Sequence, residues 1–274
     1  MLGSHSQALP RRHSQRAPFP RILCAVDGSE ASAAAIDQAI VIADGDSRIE
    51  FAASWYGKGS LERAAASDQA ARDSAEQAVE RARAAGVQAA ARYFHVPKLV
   101  DAILAATALN DLVVVGAGPH ARMTGIVLGE LATQLVHRCG LPVLVARERP
   151  LEAGVVAATR ALPADRFAVT TGAHIAARIG AELTVVHVAD RHDEKRRSEM
   201  RAELANARAL LGRQLDYLED AGPAARAIVA AAEGDGAGLV VVGSAGKQGL
   251  GALRSVSERV AHLAPCSVLV MRGR

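Results

Sequence analysis

Aromatic residues are the scarcest material in this 274-residue chain, Phe, Trp and Tyr together making up 3% of it. Hydrophobic residues still amount to 50%, so a core must be built from alanine, valine and leucine. Cysteine is nearly as rare. Cys24, Cys139 and Cys266 stand far apart, odd in number and with no C-x-x-C pair, which argues against a disulfide framework or a zinc site and for buried free thiols in a reducing cytoplasm. No stretch approaches the roughly 18 consecutive apolar residues of a membrane span, so no membrane partner is expected. Charge of one sign is missing too: 32 basic against 29 acidic residues give a formal net charge of +3, too balanced to argue for nucleic acid. The segment 1–20 is rich in Ser, Arg, His and Pro, lacks the apolar stretch of a secretory signal, and reads as a disordered leader.

Catalytic signatures are equally absent. There is no H-E-x-x-H, no G-x-S-x-G and no Walker lysine motif, and the nine histidines form no ligand-spaced cluster. Neither a metal site nor nucleophilic catalysis is therefore expected. His137 and His262 occupy equivalent places in a repeat, which points to packing or surface rather than coordination.

That repeat is what the chain does contain. DLVVVGAG (111–118) returns as GLVVVGSAG (238–246), and LVHRCGLPVLVAR (135–147) returns as RVAHLAPCSVLVMR (259–272), in the same order. The unit is of domain size. Residues 21–147 form one copy and 154–273 the other, with 148–153 as a linker where charge and Pro150 interrupt the apolar pattern. In the first copy, RILCAV (21–26), RIEFAAS (48–54), VQAAARYF (87–94), DLVVVG (111–116) and LPVLVA (141–146) read as strands. Alanine-rich or periodic helices separate them, one of which ends at Gly86. The second copy follows with VVAAT, a helix opened by Pro163, ELTVVHV, a charged helix over 192–211, and LVVVG; LDYLEDAG (215–222) is the candidate for its remaining strand. Continuous Val, Leu and Ile strands alternating with helices predict an α/β fold: two tandem open parallel five-stranded sheets, Rossmann-related, with helices on both faces.

In such a sheet a ligand binds beyond the carboxyl ends of the strands. Two loops per copy reach that edge in the predicted fold. One follows the first strand and carries Asp27, Gly28 and Ser29 in DGSEAS (27–32); the other follows the fourth strand and carries glycines, whose bare backbone lets amides approach a phosphate. The DGS turn, the glycine loop after VVVG, the next helix and the closing PVLV strand resemble the universal stress protein family, across residues 21–273. The resemblance implies an adenine-nucleotide alpha hydrolase-like fold and, in nucleotide-binding members, a loop of glycine, two residues, glycine, nine residues, glycine and serine or threonine that wraps the phosphates of ATP, with Mg²⁺ able to accompany it. It also implies that an acidic residue after the first strand holds the nucleoside end.

Both loops depart from that pattern. GAGPHARMTGIVLGE (116–130) keeps Gly116 and Gly129 but places Pro119, which lacks an amide donor, at the second glycine and Glu130 at the hydroxyl position. A carboxylate there repels a phosphate, and it also suits the first turn of a helix, so Glu130 is expected to fill the anion site from within. The second loop keeps Gly243, Ser244, Gly246 and Lys247, but it is two residues short, with Arg254 at the third glycine and Ser255, Val256 and Ser257 following. Ser255 fits the hydroxyl position and equally forms a capping box with Glu258. Arg160 replaces the acid found as Asp27 in the first copy, so Lys247, Arg254 and Arg160 read either as an altered anion pocket or as solvated charge. For Asp27 and Ser29 the alternative to ligand binding is again a helix cap.

The expected function is a non-catalytic regulatory or interaction module of the stress response with degenerate nucleotide sites. An ATP-binding sensor using the second loop is the alternative, and a slow ATPase the weaker one. The closing strands LPVLVA and SVLVMR are expected to pair across a pseudo-twofold axis, making an intramolecular pseudo-dimer, with a homodimer of two chains as a further step.

Overall fold

The computed structural model describes residues 18–54, 61–96, 98–118, 128–160, 166–188, 194–220, 222–244 and 255–272. The first copy runs β1 (Arg21–Val26), α1 (Glu30–Ile42), β2 (Arg48–Ser54), α2 (Leu61–Ala84), β3 (Gln88–Phe94), α3 (Leu99–Ala106), β4 (Leu112–Gly116), α4 (Glu130–Arg138) and β5 (Val143–Ala146). The second runs β6 (Val155–Thr159), α5 (Arg166–Ile179), β7 (Leu183–Val188), α6 (Glu194–Leu211), β8 (Asp216–Asp220), α7 (Ala224–Gly234), β9 (Leu239–Ser244), α8 (Val256–Leu263) and β10 (Ser267–Arg272). LDYLEDAG thus supplies the strand β8, while α7 is a helix that the sequence pattern leaves unassigned.

Strand order is β3-β2-β1-β4-β5-β10-β9-β6-β7-β8 in one ten-stranded sheet. The two expected five-stranded sheets are its halves. Strands pair in parallel within each half, and β5 meets β10 antiparallel with Val145, Leu144 and Val143 opposite Val268, Leu269 and Val270. Leu144 and Leu269 mark the pseudo-twofold axis, and the pairing expected of the closing strands takes place inside one chain.

Because a parallel strand is buried on both faces, β1 alternates its apolar side chains between two cores. Ile22, Cys24 and Val26 face α1, α2, α5 and α6; Leu23 and Ala25 face α3, α4, α7 and α8. Both cores run across the junction, where Leu144 and Leu269 lie on one face and Val145 and Val268 on the other. Alanine in the helices lets them sit close to the sheet: Ala35 and Ala39 of α1 are fully buried.

The linker is packed into this body. Leu151 is buried, and Gly238 leaves room for the chain beside it, since a Cβ there would stand 1.8 Å from the carbonyl oxygen of Pro150. The junction is also latched by two arginines at equivalent places. Arg147, one residue past β5, donates to the carbonyls of Cys266 at 2.9 Å and of Ala261 at 2.6 Å; Arg272, at the end of β10, donates to the carbonyl of Val136 and to Oγ of Ser244. Ala261 and Val136 lie toward the C-terminal ends of α8 and α4, where backbone carbonyls lack intrahelical partners and favour a cation. Each copy therefore neutralises the last helix of the other.

Candidate functional site

The first-copy site begins where β1 runs out. Gly28 takes φ +78°, the left-handed turn that glycine adopts without penalty, and it folds Asp27 back over Ser29. Oδ1 of Asp27 accepts from the Ser29 amide at 3.0 Å and from the Ser29 hydroxyl at 2.6 Å. Oγ of Ser29 in turn accepts from the Ser32 amide at 3.1 Å, which makes Ser29 the N-cap of α1, and Oγ of Ser32 accepts from the Asp27 amide at 3.2 Å. The capping role is therefore present, and Asp27 remains exposed at the rim.

Opposite this turn lies the end of β4. A Cβ on Gly116 would stand 2.3 Å from the carbonyl oxygen of Ala31, so the glycine is what allows α1 to lie against the strand. Gly118, at φ +90°, backs onto Gly129, where a Cβ on either would come within 2.9 to 3.2 Å of the other's Cα. The Gly129 amide closes this neck by donating to the carbonyl of Ala117 at 2.7 Å. Pro119 lies outside the described residues. Glu130 opens α4, with Gly129 as N-cap, and its Oε1 accepts from Nε2 of Gln134 at 2.9 Å.

These pieces enclose a cavity of ≈ 230 Å³ whose walls include Asp27, Ser29, Gly116, Gly129 and Glu130. Leu99, from the start of α3, and Leu131, from α4, add apolar wall. Sequence reasoning passed over both, because a leucine at the start of a helix carries no chemical signal. Gly118 it could have found from the G-A-G spacing.

The equivalent place in the second copy is narrower among the described residues. Among them, Thr159, Arg160, Ile228, Gly243 and Val256 surround ≈ 30 Å³, the room of about one water. Oγ1 of Thr159 donates to Oε2 of the buried Glu203 at 3.0 Å, which ties α6 to the end of β6. Ser244 is buried, and its hydroxyl accepts from Arg272 at 2.6 Å. Ser255 is the N-cap of α8, accepting from the Glu258 amide at 3.2 Å, and its hydroxyl lies 3.2 Å from that of the buried Ser257. Only half of the expected capping box forms. The carboxylate of Glu258 turns instead to His137, with Oε1 2.6 Å from Nε2, because the junction brings α4 alongside α8. Gly246, Lys247 and Arg254 lie outside the described residues.

All three cysteines are free and buried, and burial pushes their thiols up, Cys266 to about 11. Among the described residues no group of three or more His, Cys, Asp or Glu side chains could hold a metal ion, and no helix is long and apolar enough to cross a membrane.

The model of the universal stress protein family matches the chain twice, over residues 18–147 and 155–272. A universal stress protein from Archaeoglobus fulgidus DSM 4304 superposes with a TM-score of 0.75 at 20% identity, covering 93% of this chain and 96% of that one. The structure of a putative universal stress protein from Pseudomonas aeruginosa UCBPP-PA14 gives 0.68 at 19% identity, covering 93% of each chain. A universal stress protein in complex with cAMP is 26% identical over 43% of this chain and 94% of its own, with a TM-score of 0.38. No curated protein matches.

Proposed function

This chain belongs to the universal stress protein family, carrying two of its domains in tandem, and from that premise we propose that it is a non-catalytic regulatory module whose first copy takes an adenine nucleotide while its second copy serves as a structural half. The carrying observation is the asymmetry between equivalent places among the described residues, ≈ 230 Å³ in the first copy against ≈ 30 Å³ in the second. Asp27 and the glycines at 116 and 129 stand around the larger space, with Ser29 beside them, and the family resemblance associates such an acid with the nucleoside end and such glycines with the phosphates. Glu130 favours a short phosphate chain over a triphosphate. A carboxylate about 4 Å from a further phosphate costs about 1 kcal/mol per charge pair even in water-like surroundings, so AMP or a cyclic monophosphate fits this rim better than ATP with Mg²⁺. In the second copy, Arg160 in place of the acid and the Thr159 to Glu203 bond support a site given over to structure.

Titration calorimetry of the purified chain with AMP, cyclic AMP and ATP tests this reading. One molecule of monophosphate per chain is expected, weakened about tenfold by Asp27→Ala on the scale of one lost hydrogen bond to a charged group, and unaffected by Arg160→Ala. Glu130→Ser should raise the affinity for ATP. Two molecules per chain, or none at millimolar nucleotide, would overturn it.

A further inference from the structure

A second and larger cavity adjoins the first, sharing Ser29, Ala31 and Gly118 as walls around the first turn of α1. It measures ≈ 490 Å³, within the roughly 300–1,000 Å³ of small-molecule sites. Its apolar wall is made by Ala31 and Ala34 of α1, Ala117 after β4, Ala146 at the end of β5, and Pro265 from the second copy. The linker supplies Arg147, Glu148 and Arg149. Gln38 of α1 holds that stretch in place, its Nε2 donating to the carbonyl of Arg147 and, at 3.4 Å, to that of Arg149. The cavity is therefore a product of the tandem arrangement, built where one copy runs into the next.

Four charged residues share this wall: Glu30 from the first turn of α1, and Arg147, Glu148 and Arg149 from the linker. Two acids against two bases leave no formal excess, so the wall favours neither an anion nor a cation. The two arginines differ in what they offer. The guanidinium of Arg147 is buried and spent on the carbonyls of Cys266 and Ala261, so it serves the junction. Arg149 is half-buried, and its Nη1 donates to the carbonyl of Ala237 at 3.0 Å, which anchors the side chain to the second copy. A guanidinium carries five N–H donors in a planar fork, so this anchor leaves most of them for a planar acceptor such as a carboxylate. Glu30 and Glu148 are exposed. A carboxylate offers about four acceptor positions, so one that is engaged elsewhere still takes an ammonium group.

We propose that this cavity binds a free amino acid with a large apolar side chain. Its carboxylate meets Arg149, its ammonium meets Glu30 and Glu148, and its side chain lies over the alanine methyls and Pro265. A phosphate would answer only the base in the wall and an amine only the acids, whereas a zwitterion answers both. The site stands apart from the nucleotide reading of the smaller cavity. It also gives the tandem arrangement a chemical purpose, because Pro265 and the carbonyl that anchors Arg149 come from the second copy.

The probes are L-phenylalanine, hydrocinnamate, which lacks its ammonium, and phenethylamine, which lacks its carboxylate, each titrated into the full chain by calorimetry. One molecule of L-phenylalanine per chain is expected. Each analogue should bind at least about tenfold more weakly, the scale of a lost hydrogen bond to a charged group. Arg149→Gln should weaken L-phenylalanine by a similar factor and leave phenethylamine unchanged, since that analogue has no carboxylate to lose a partner. The melting temperature of the variant is recorded to confirm folding, and the three-ligand comparison in the unaltered protein decides by itself if the variant does not fold. No binding of L-phenylalanine at millimolar concentration, or equal affinity for either analogue, overturns the proposal, as does an Arg149→Gln variant that folds and binds L-phenylalanine as before. Failure here leaves the nucleotide reading in place, because that reading is decided by titration with AMP, cyclic AMP and ATP.

Discussion

His262 sits half-buried near the end of α8, among charges that oppose one another. Burial lowers its pKa below the usual 6.5; Glu258 raises it, while His137 and Arg147 lower it again, and the lowering prevails. A histidine held neutral in the folded state stabilises the fold above its unfolded pKa, and that contribution is lost as pH falls below about 6.5 toward the depressed folded value. His174 on α5 is shifted in the same direction by burial. Stability is therefore expected to decline between pH 7 and pH 5.5, and His262→Gln should flatten part of that decline, measured as urea midpoints across the range. A midpoint whose pH dependence matches that of the unaltered protein would show that His262 protonates without penalty. At the same scale, the glycines divide by cause: Gly116 is required by the approach of α1, and Gly118 and Gly129 by each other, so their presence in a phosphate-type loop does not by itself indicate a phosphate.

Among the elements, the arginine at the end of each closing strand does the joining. Burial lowers the pKa of Arg147 to about 10, which still leaves it charged at neutral pH and obliged to hydrogen-bond. Its guanidinium reaches two carbonyls that a lysine ammonium on a flexible stem would not span in the same geometry. Arg147→Ala should cost about 3 kcal/mol, from two lost charge-assisted bonds and two carbonyls left without a partner, and Arg147→Lys should recover little of it. Denaturant unfolding of both variants checks the claim, and full recovery with lysine would show that charge alone suffices. The outer elements differ between the copies. β3 is partly covered by α2, whereas every residue of β8 is exposed, and Asp216, Glu219 and Asp220 put acids on that bare edge, which discourages pairing with another chain.

As a whole molecule the protein is one ten-stranded sheet whose two halves meet at β5 and β10. The antiparallel β5 to β10 pairing removes what would be an open edge on each copy. Residues 18–150 expressed alone would expose β5 with Val143, Leu144 and Val145, and this segment should form a twofold dimer through that edge. Light scattering would report a dimer for the segment; a stable monomer would show that the edge is protected by other means.

The fold was legible because its causes are local and repeated. β1, β4 and β5 are unbroken apolar runs, and Gly86 and Ser29 mark helix ends through backbone geometry that neighbours in sequence dictate. α7 was missed because AARAIVAAAEG follows the unclear stretch around β8, and its small apolar residues declare a face only once the sheet is there to receive it. At the site, Asp27, Ser29, Gly116 and Gly129 could be picked out as a constellation, since turn chemistry places them at strand ends. Leu99, Leu131 and the linker residues could not, because an apolar wall is defined by what stands opposite.

The sequence by itself determined the repeat, the parallel sheet, the cap at Ser29 and the replacement of an acid by Arg160, all of which follow from residue type and spacing. Only the tertiary structure decided that Glu258 meets His137 rather than completing its own cap, and that Arg147 and Arg272 each latch the opposite copy. Those outcomes depend on distances between segments more than 100 residues apart along the chain. Packing sets such distances, and local pattern does not record them.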